Sequence, residues 1–126
     1  MIPVFAYGTL RVDAYQRALF GATFARTPAT LAGWRVVAGE RGYLTVIADP
    51  RARCAGELVA LDRRALAVAD VWEGGYRRLR VCAQDANGAT RSAWLYVRPT
   101  ASLTAPPPGT TALRSHADVL AAIRSL

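Results

Sequence analysis

The chain has 126 residues, with 16 basic against 9 acidic residues and a net charge of +7; every basic residue is an arginine. Without lysine, a Schiff base and a phosphate-loop lysine are excluded. With one histidine and two cysteines, a four-ligand zinc site made of those residue types alone is also excluded. The reaction types that remain are those catalysed by carboxylates, tyrosines, hydroxyls and backbone groups.

The bulk composition indicates one folded domain spanning residues 1–126. Hydrophobic residues make up 52% and charged residues 20% of the chain, which is the balance of a globular domain. We expect a cytoplasmic protein, because two isolated cysteines do not form a disulfide framework and neither a signal peptide nor a membrane-length apolar run is evident. We expect no membrane partner.

The excess of arginine admits two interpretations. A pI near 10.4 is compatible with a nucleic-acid-binding protein. However, the absence of lysine and the many alanines are typical of a GC-rich coding sequence, and the arginines are scattered. We therefore expect no nucleic-acid partner, while anionic small molecules remain compatible with the charge.

The pattern of residues 2–21 predicts a strand, a turn and a short helix. Residues 2–7 form an apolar run typical of a buried strand, and Gly8 begins a turn directly after it. Asp13 is a candidate cap for a helix over residues 14–20, with Tyr15 and Leu19 facing inward and Gly21 ending it.

Three strands are predicted next, over residues 31–37, 43–48 and 54–61. The first two are joined by a four-residue connection, residues 39–42, with glycine at both ends. Asp49-Pro50-Arg51 predicts a turn before the third strand. Gly56 lies in that strand, where a bulge or a close backbone approach is expected.

The second half predicts a helix, a hairpin and a final helix. Asp62 caps a helix that ends with Glu73 as its last residue, before Gly74-Gly75. Residues 76–84 and 90–97 form two strands joined by a turn containing Asn-Gly. A Pro/Thr-rich connector over residues 99–114 precedes a docking helix over residues 115–126. The sum is an α+β domain: a small mixed β-barrel of about six strands, closed or nearly closed, flanked by short helices.

The segment from Tyr7 to Arg11, sequence YGTLR, is the first candidate functional feature. Gly8 permits a backbone bend, successive N–H groups at such a bend form a nest for an anion, and Thr9 adds a hydroxyl. The alternative is an ordinary turn after a strand. The segment alone does not decide between the two.

Glu73 is the second candidate functional feature. Its carboxylate lies at the negative end of a helix dipole, beside Trp72 and Tyr76, and both surroundings would raise its pKa toward that of a general base. The alternative is a solvated carboxylate paired with Arg77 or Arg78, which would lower the pKa.

Taken together, these segments resemble one family. The run VFAYGTLR, then GELVALD, WEGGYRRLRV and AWLYV, in this order over residues 3–98, is similar to the γ-glutamylcyclotransferase-like family, and more closely to its AIG2-like branch that acts on γ-glutamylamines. The resemblance implies a small barrel with a cavity at one side. It also implies that Tyr7, Gly8, Thr9 and Leu10 bind the γ-glutamyl group and that Glu73 is the acid and base.

The implied reaction is a cyclisation of the substrate upon itself. The α-amino nitrogen of a γ-glutamyl amine or amide attacks the γ-carbonyl, which releases the amine and forms 5-oxoproline. No cofactor and no metal is needed, because the substrate supplies the nucleophile. Tyr76 and Tyr96 are candidate donors to the tetrahedral oxygen, and Arg11 is a candidate contact to substrate.

The sequence also departs from the family pattern. The YGTL segment continues with Arg11-Val12-Asp13-Ala14, where members often have lysine, glycine and asparagine, and Tyr43-Leu44 replaces a tyrosine-proline pair. Both changes fall near the expected substrate. A binding module that kept the pocket without the reaction is therefore the main alternative to an enzyme. We take His116, Cys54 and Cys82 as structural residues.

Overall fold

The computed structural model describes all 126 residues as five strands and three helices. The strands are β1 (Ile2–Ala6), β2 (Arg26–Ala38), β3 (Leu44–Leu61), β4 (Arg77–Asp85) and β5 (Thr90–Val97). The helices are α1 (Asp13–Phe20), α2 (Arg63–Trp72) and α3 (His116–Arg124). Two single 3-10 turns, Thr9–Arg11 and Glu40–Gly42, follow β1 and β2.

The five strands form a closed barrel in the order β1-β3-β2-β4-β5. Neighbouring strands are antiparallel except at the closure, where β1 runs parallel to β5 with Val4 opposite Trp94. The predicted α+β architecture, a small mixed barrel with flanking helices, is confirmed. The barrel has five strands, however, where about six were expected.

The missing strand is explained by Asp49-Pro50-Arg51, which was predicted to be a turn and instead lies inside β3. The pairing of β2 with β3 jumps from Ala32–Arg53 to Trp34–Ala48, so Gly33, with φ +86°, faces the whole of residues 49–52. The Asp49 carboxylate accepts the Arg51 N–H at 3.1 Å. These residues bulge without reversing the chain, and a bulge tolerates a proline because the ladder is already interrupted there.

β1 is apolar throughout because it is covered on both faces. Phe5 points into the barrel interior, where it joins Leu31, Val46 and Leu95. Val4 and Ala6 point the other way, as the two-residue period of a strand requires. On that outer face they pack with a second cluster that includes residues of α2; its other buried members are Leu10, Val59, Leu61, Ala65, Leu66, Ala69 and Tyr96.

β3 passes close to β1 at Gly56. A Cβ at this position would lie 2.5 Å from the Ala6 carbonyl oxygen and 2.7 Å from the Phe5 ring. The predicted close backbone approach is confirmed. Since β1 ends at Ala6, this contact fixes where the chain leaves the barrel.

The helix boundaries agree with the predicted caps at most ends. Gly21 ends α1 in the left-handed conformation with φ +73°, Asp62 accepts the Ala65 N–H at 2.8 Å, and Ser115 caps α3. Two details differ. Val12 precedes α1 in the cap position and Asp13 is already helical, while Glu73 follows the last helical residue of α2 instead of being it.

The connector and α3 cover one end of the barrel. The Ala38 N–H donates to the Thr104 carbonyl at 2.8 Å, and the Leu113 N–H donates to Gly42 at 2.8 Å. α3 packs on α1 through Val119 and Ile123. None of the helices has the length and apolar character needed to cross a bilayer.

Candidate functional site

A cavity of about 240 Å³ lies at the end of the barrel where β1 emerges. Its walls come from the end of β1, the turn after it, the end of α2, the connector and α3. The cavity brings together seven of the eight residues that the sequence predicted for the site. These are Tyr7, Gly8, Thr9, Leu10, Glu73, Tyr76 and Tyr96.

The turn after β1 is held by a buried glutamine of α1. The Gln16 Nε2 donates to the Leu10 carbonyl at 2.7 Å, while its Oε1 accepts the Phe24 N–H at 2.7 Å. The Gly8 N–H takes part in no hydrogen bond within the chain. A Cβ on Gly8 would lie 3.3 Å from the Thr111 carbonyl oxygen, so glycine allows the connector to pass closely while this N–H stays free for a ligand.

The turn after α2 fixes the position of Glu73. The Glu73 N–H donates to Ala69 at 2.8 Å, and its carbonyl accepts the Tyr76 N–H at 2.8 Å. Gly75, with φ +89°, supplies the left-handed residue that this turn requires. The preceding residue, Trp72, donates from Nε1 to the Thr9 hydroxyl at 3.0 Å. This bond ties the two candidate segments to each other.

The Glu73 carboxylate is unpartnered. None of the seven ion pairs includes it, and no buried side-chain oxygen of the protein lacks a hydrogen bond. Because the Glu73 carboxylate has no hydrogen bond, its oxygens must keep some accessible surface, and Glu73 is one of the residues that line the cavity. Burial of the Glu73 side chain raises its pKa from 4.5 to about 8, because desolvation disfavours the charged carboxylate.

The alternative interpretation of Glu73, a salt bridge to Arg77 or Arg78, is wrong. The Arg78 Nε contacts Asp70 Oδ1 at 2.8 Å, and a second nitrogen donates to the other carboxylate oxygen at 3.1 Å. Arg77 is exposed and forms no ion pair. The expected upward direction of the pKa is confirmed, with desolvation as its cause.

Three tyrosines frame the cavity with hydroxyls that are already engaged. Tyr7 donates to the Tyr96 carbonyl at 2.6 Å, Tyr96 donates to Asp70 Oδ1 at 2.7 Å, and Tyr76 donates to the Leu44 carbonyl at 2.8 Å. Burial, with a further contribution from the nearby Glu73 charge, raises the pKa of all three. In this arrangement Tyr76 and Tyr96 line the cavity, but their hydroxyl hydrogens point to protein acceptors and not to a ligand.

Arg11 is the one predicted site residue that the structure does not bring to this cavity. The 3-10 turn carries it to the outer face of the barrel, where its Nε donates to Glu57 at 3.1 Å. Arg26 shares the same carboxylate at 3.8 Å and also donates to the Arg11 carbonyl. The expected contact of Arg11 with a ligand in the cavity is therefore not supported.

Sequence reasoning missed several residues that line the cavity. They are mostly cationic or polar and come from the connection after β2, the end of β5 and the connector: Arg41, Tyr43, Arg98, Thr111 and Arg114. Only Tyr43 carried a signal, as part of the departure from the family pattern. The others arrive through tertiary contacts that no local pattern encodes.

The remaining candidate chemical groups lie elsewhere. His116 stacks on Tyr15 with ring centroids 5.2 Å apart, and burial raises the pKa of the Cys54 thiol to about 11. Neither cysteine forms a disulfide. No group of three or more histidine, cysteine, aspartate or glutamate side chains is arranged to hold a metal ion.

Comparisons with known proteins agree with this architecture. A family model described as gamma-glutamyl cyclotransferase, AIG2-like, matches residues 4–114. Among curated protein sequences, none matches the chain significantly.

Solved structures share the fold at low sequence identity. A protein from Arabidopsis thaliana is 22% identical with a TM-score of 0.70, covering 77% of this chain, which spans only 61% of that protein. A structure named gamma-glutamyl cyclotransferase is 19% identical with a TM-score of 0.68, covering 86% of this chain and 72% of the other. An AIG2-like protein from Mus musculus is 17% identical with a TM-score of 0.63, covering 92% and 97%.

Proposed function

The chain belongs to the gamma-glutamyl cyclotransferase, AIG2-like, family, and on this basis we propose that it converts a γ-glutamyl amine or amide to 5-oxoproline and a free amine. The observation that carries the proposal is the unpartnered Glu73 carboxylate, which shares one cavity with the turn from Gly8 to Leu10. We further propose that the reaction takes place in the cytoplasm.

The proposed mechanism needs one protein group to move protons. Glu73 removes a proton from the substrate's α-ammonium, and the resulting amine attacks the substrate's own γ-carbonyl carbon. Glu73 gives this proton to the leaving nitrogen as the bond from the γ-carbon to that nitrogen breaks. The second proton of the ring nitrogen passes to the released amine, so that the products are the neutral lactam of 5-oxoproline and an ammonium ion, with Glu73 ionised again. A pKa near 8 suits both steps, because the carboxylate is basic enough to accept the proton and acidic enough to return it.

The turn after β1 supports the proposal as a binding site for the γ-glutamyl group. Gly8 lines the cavity and its N–H has no partner within the chain, so we propose it as a donor to a carboxylate or a developing oxyanion of the substrate. A cavity that holds the glutamyl arm folded makes the attack intramolecular, which removes much of the entropic cost of bringing the reacting groups together. The walls formed by Tyr7, Tyr76 and Tyr96 give this end of the cavity its shape.

The test is release of 5-oxoproline from a panel of γ-glutamyl amines and γ-glutamyl amino acids, measured by mass spectrometry. We expect turnover by the natural protein and a loss of about 10²–10⁴-fold in kcat for Glu73→Gln, the range that general acid–base catalysis contributes. Asp118→Asn is the control, because this exposed carboxylate of α3 forms no ion pair and does not line the cavity.

Two results would contradict the proposal. If Glu73→Gln released 5-oxoproline at the natural rate, Glu73 would not be the acid and base. If calorimetry showed tight binding of γ-glutamyl compounds without turnover of any member of the panel, the protein would be a binding module of this fold.

A further inference from the structure

The Asp70 carboxylate, near the end of α2, accepts hydrogen bonds from two neighbouring strands. Asp70 Oδ1 lies 2.7 Å from the Tyr96 hydroxyl of β5 and 2.8 Å from the Arg78 Nε of β4. A second Arg78 nitrogen donates to Asp70 Oδ2 at 3.1 Å. Neither Asp70 nor Arg78 lines the cavity, so these contacts lie outside the ligand site itself.

Arg78 fixes the orientation of the Asp70 carboxylate. Its two N–H···O bonds form the fork that an arginine makes with a carboxylate, an arrangement that fixes geometry as well as adding energy. The Arg78 guanidinium carbon also lies 4.5 Å from the centroid of the Trp94 ring. Arg78 and Tyr96 are directly opposite each other in the pairing of β4 with β5. The strand register therefore brings both donors to one carboxylate.

Asp70 is one of two residues that attach the end of α2 to the barrel. Asp70 and Trp72 are the only residues of this helix whose side chains form hydrogen bonds with the rest of the protein. The Glu73 N–H donates to the Ala69 carbonyl at 2.8 Å, so the backbone of Glu73 continues the helical turn that contains Asp70. A shift of Asp70 away from Tyr96 would therefore move Glu73 as well.

Tyr96 connects Asp70 to the cavity. Tyr96 is 4% exposed and lines the cavity together with Glu73, and its carbonyl accepts the Tyr7 hydroxyl hydrogen at 2.6 Å. Burial raises the Tyr96 pKa, and the contact with Asp70 raises it further. The hydroxyl therefore keeps its hydrogen, and remains a donor to Asp70, at any pH near neutrality.

We propose that Asp70 is a positioning residue: through its hydrogen bond with Tyr96 it holds the end of α2 against β5, and so holds the Glu73 carboxylate in the cavity. This inference rests on the proposed cyclotransferase function for its effect on catalysis. Asp70 itself contacts neither the substrate nor the transferred proton. Arg78 acts indirectly, by orienting Asp70.

The kinetic test compares Asp70→Ala, Asp70→Asn and Tyr96→Phe with the natural protein, on a γ-glutamyl amine that the natural protein converts. We expect kcat to fall about 10- to 100-fold in Asp70→Ala with little change in KM, because a displaced base slows proton transfer while the binding turn is unaltered. Asp70→Asn keeps an oxygen that can accept the Tyr96 hydroxyl hydrogen, so it should recover much of this loss. Tyr96→Phe should lose about as much as Asp70→Ala.

A double variant tests whether Asp70 acts through Tyr96. Asp70→Ala/Tyr96→Phe should lose no more kcat than either single variant, since each change removes the same hydrogen bond. Losses that multiply would show that Asp70 acts by another route, and would overturn the inference. A natural kcat in a folded Asp70→Ala variant would overturn it too.

Asp49→Ala is the matched control for the loss of an aspartate–arginine pair. Asp49 pairs with Arg35 at 3.3 Å and does not line the cavity, and the side chains of Asp49 and Asp70 are 32% and 41% exposed. Asp49→Ala should keep the natural kcat. An equal fall of kcat in this control would make the effect of Asp70 a general consequence of lost stability, and the positioning role would be overturned.

A measurement on Glu73 itself separates failure of this inference from failure of the proposed function. The chain has only three glutamates, Glu40, Glu57 and Glu73, so carbon NMR of protein labelled at the glutamate carboxyl carbons gives three signals, of which Glu73→Gln identifies one. The Glu73 pKa, raised to about 8 by burial, should fall in Tyr96→Phe, because a displaced carboxylate is better hydrated.

Tyr96→Phe is suited to this measurement because it removes no charge and leaves Asp70 in place. It also leaves unchanged the other charged and titratable side chains that line the cavity, which are Tyr7, Tyr43, Tyr76, Arg41, Arg98 and Arg114. No substrate is needed, so a lower Glu73 pKa in Tyr96→Phe would support the positioning role even if no γ-glutamyl compound were converted, a result that would contradict only the proposed function.

An equal Glu73 pKa in Tyr96→Phe and the natural protein would overturn the positioning role. Circular dichroism checks that each variant folds. If Asp70→Ala did not fold, Asp70→Asn and Tyr96→Phe would decide the question, because the inference requires a smaller loss of kcat in the first than in the second.

Discussion

The Trp72 indole N–H and the Thr9 hydroxyl are 3.0 Å apart, although the two residues are separated by 63 positions in the sequence. Trp72 precedes Glu73 and Thr9 follows Gly8, so this hydrogen bond joins the segment of the proposed base directly to the proposed binding turn. Tyr43 packs edge-on against the same indole, with ring centroids 5.5 Å apart. Trp72 therefore contacts two parts of the cavity wall, the turn after β1 and Tyr43.

The first prediction concerns this bond. Thr9→Val should lower the free energy of unfolding by about 1–3 kcal/mol, because it leaves the half-buried indole N–H without its acceptor. It should also lower kcat, since Glu73 loses its fixed distance from the turn. Urea denaturation and steady-state kinetics measure the two effects. The exposed Thr27→Val is the control, and a Thr9→Val variant as stable as that control would contradict the prediction.

A double-mutant cycle with Trp72→Phe makes the same claim more specific. If the bond links the two segments, the losses of stability in Thr9→Val and Trp72→Phe should not add, and the coupling should be about 1 kcal/mol. Additive losses would show that the two residues act independently.

The second prediction concerns the pH dependence of catalysis. Glu73 accepts a proton only when ionised, so kcat/KM should rise with pH up to about 8 and level off above it. The substrate's α-ammonium should be titrated separately, so that its own pKa is not confused with that of Glu73. The residual kcat/KM of Glu73→Gln should not show the rise with pH that ionisation of Glu73 causes. If that variant had the same pH profile of kcat/KM as the natural protein, the titrating group would be one other than Glu73.

The third prediction concerns the pH dependence of stability. Because the Glu73 pKa is raised from 4.5 to about 8 by folding, the folded state holds a proton that the unfolded state has lost between these two values. Stability should therefore fall as pH rises from about 4.5 to about 8. Glu73→Gln has no such proton, so its advantage over the natural protein should grow over this interval to a few kcal/mol.

Urea denaturation at a series of pH values measures this difference. The comparison at pH 4.5 serves as the internal reference, because Glu73 is protonated there in the folded state and most of the penalty is absent. A gap between the two proteins that shrinks as pH rises would have the wrong sign and would contradict the assignment.

The fourth prediction concerns Tyr7, which joins β1 to β5 beside the cavity. Tyr7→Phe removes a 2.6 Å hydrogen bond to the buried Tyr96 carbonyl, and we expect a loss of about 1–3 kcal/mol in unfolding free energy because that carbonyl is left unpaired. Tyr15→Phe is the matched comparison. Its hydroxyl contacts the exposed His116, where water can replace the lost partner, so its cost should be smaller.

Local chemistry accounts for the parts of the fold that sequence reasoning predicted well. Asp62 and Ser115 cap helices through their own side chains, and Gly21 takes a backbone conformation that other residues adopt at a cost. The same reasoning was wrong at Asp49-Pro50-Arg51. Proline and aspartate favour a turn, but pairing with β2 on both sides of the tripeptide keeps the chain in one strand.

The residues of the candidate site also fall into those that a local pattern identifies and those that only tertiary contacts place. Glu73 and the turn after β1 could be identified because each has a recognisable local pattern and the two occur together. Arg114 could not, since its position depends on contacts with Gly42 and Tyr43, far away in the sequence. Arg11 shows the converse: it adjoins the predicted motif, but the turn of the backbone directs it to Glu57.

The barrel closes at a seam, the parallel pairing of β1 with β5, and this seam has a consequence for how the cavity opens. Tyr7 and Tyr96 are 89 positions apart, and both line the cavity, so opening of the seam would disrupt one wall of the cavity. A ligand bound there should slow amide hydrogen exchange in β1 and β5 by stabilising the closed state. Local opening of the seam would release the ligand without unfolding β2 and β3, which pair with each other along most of their length.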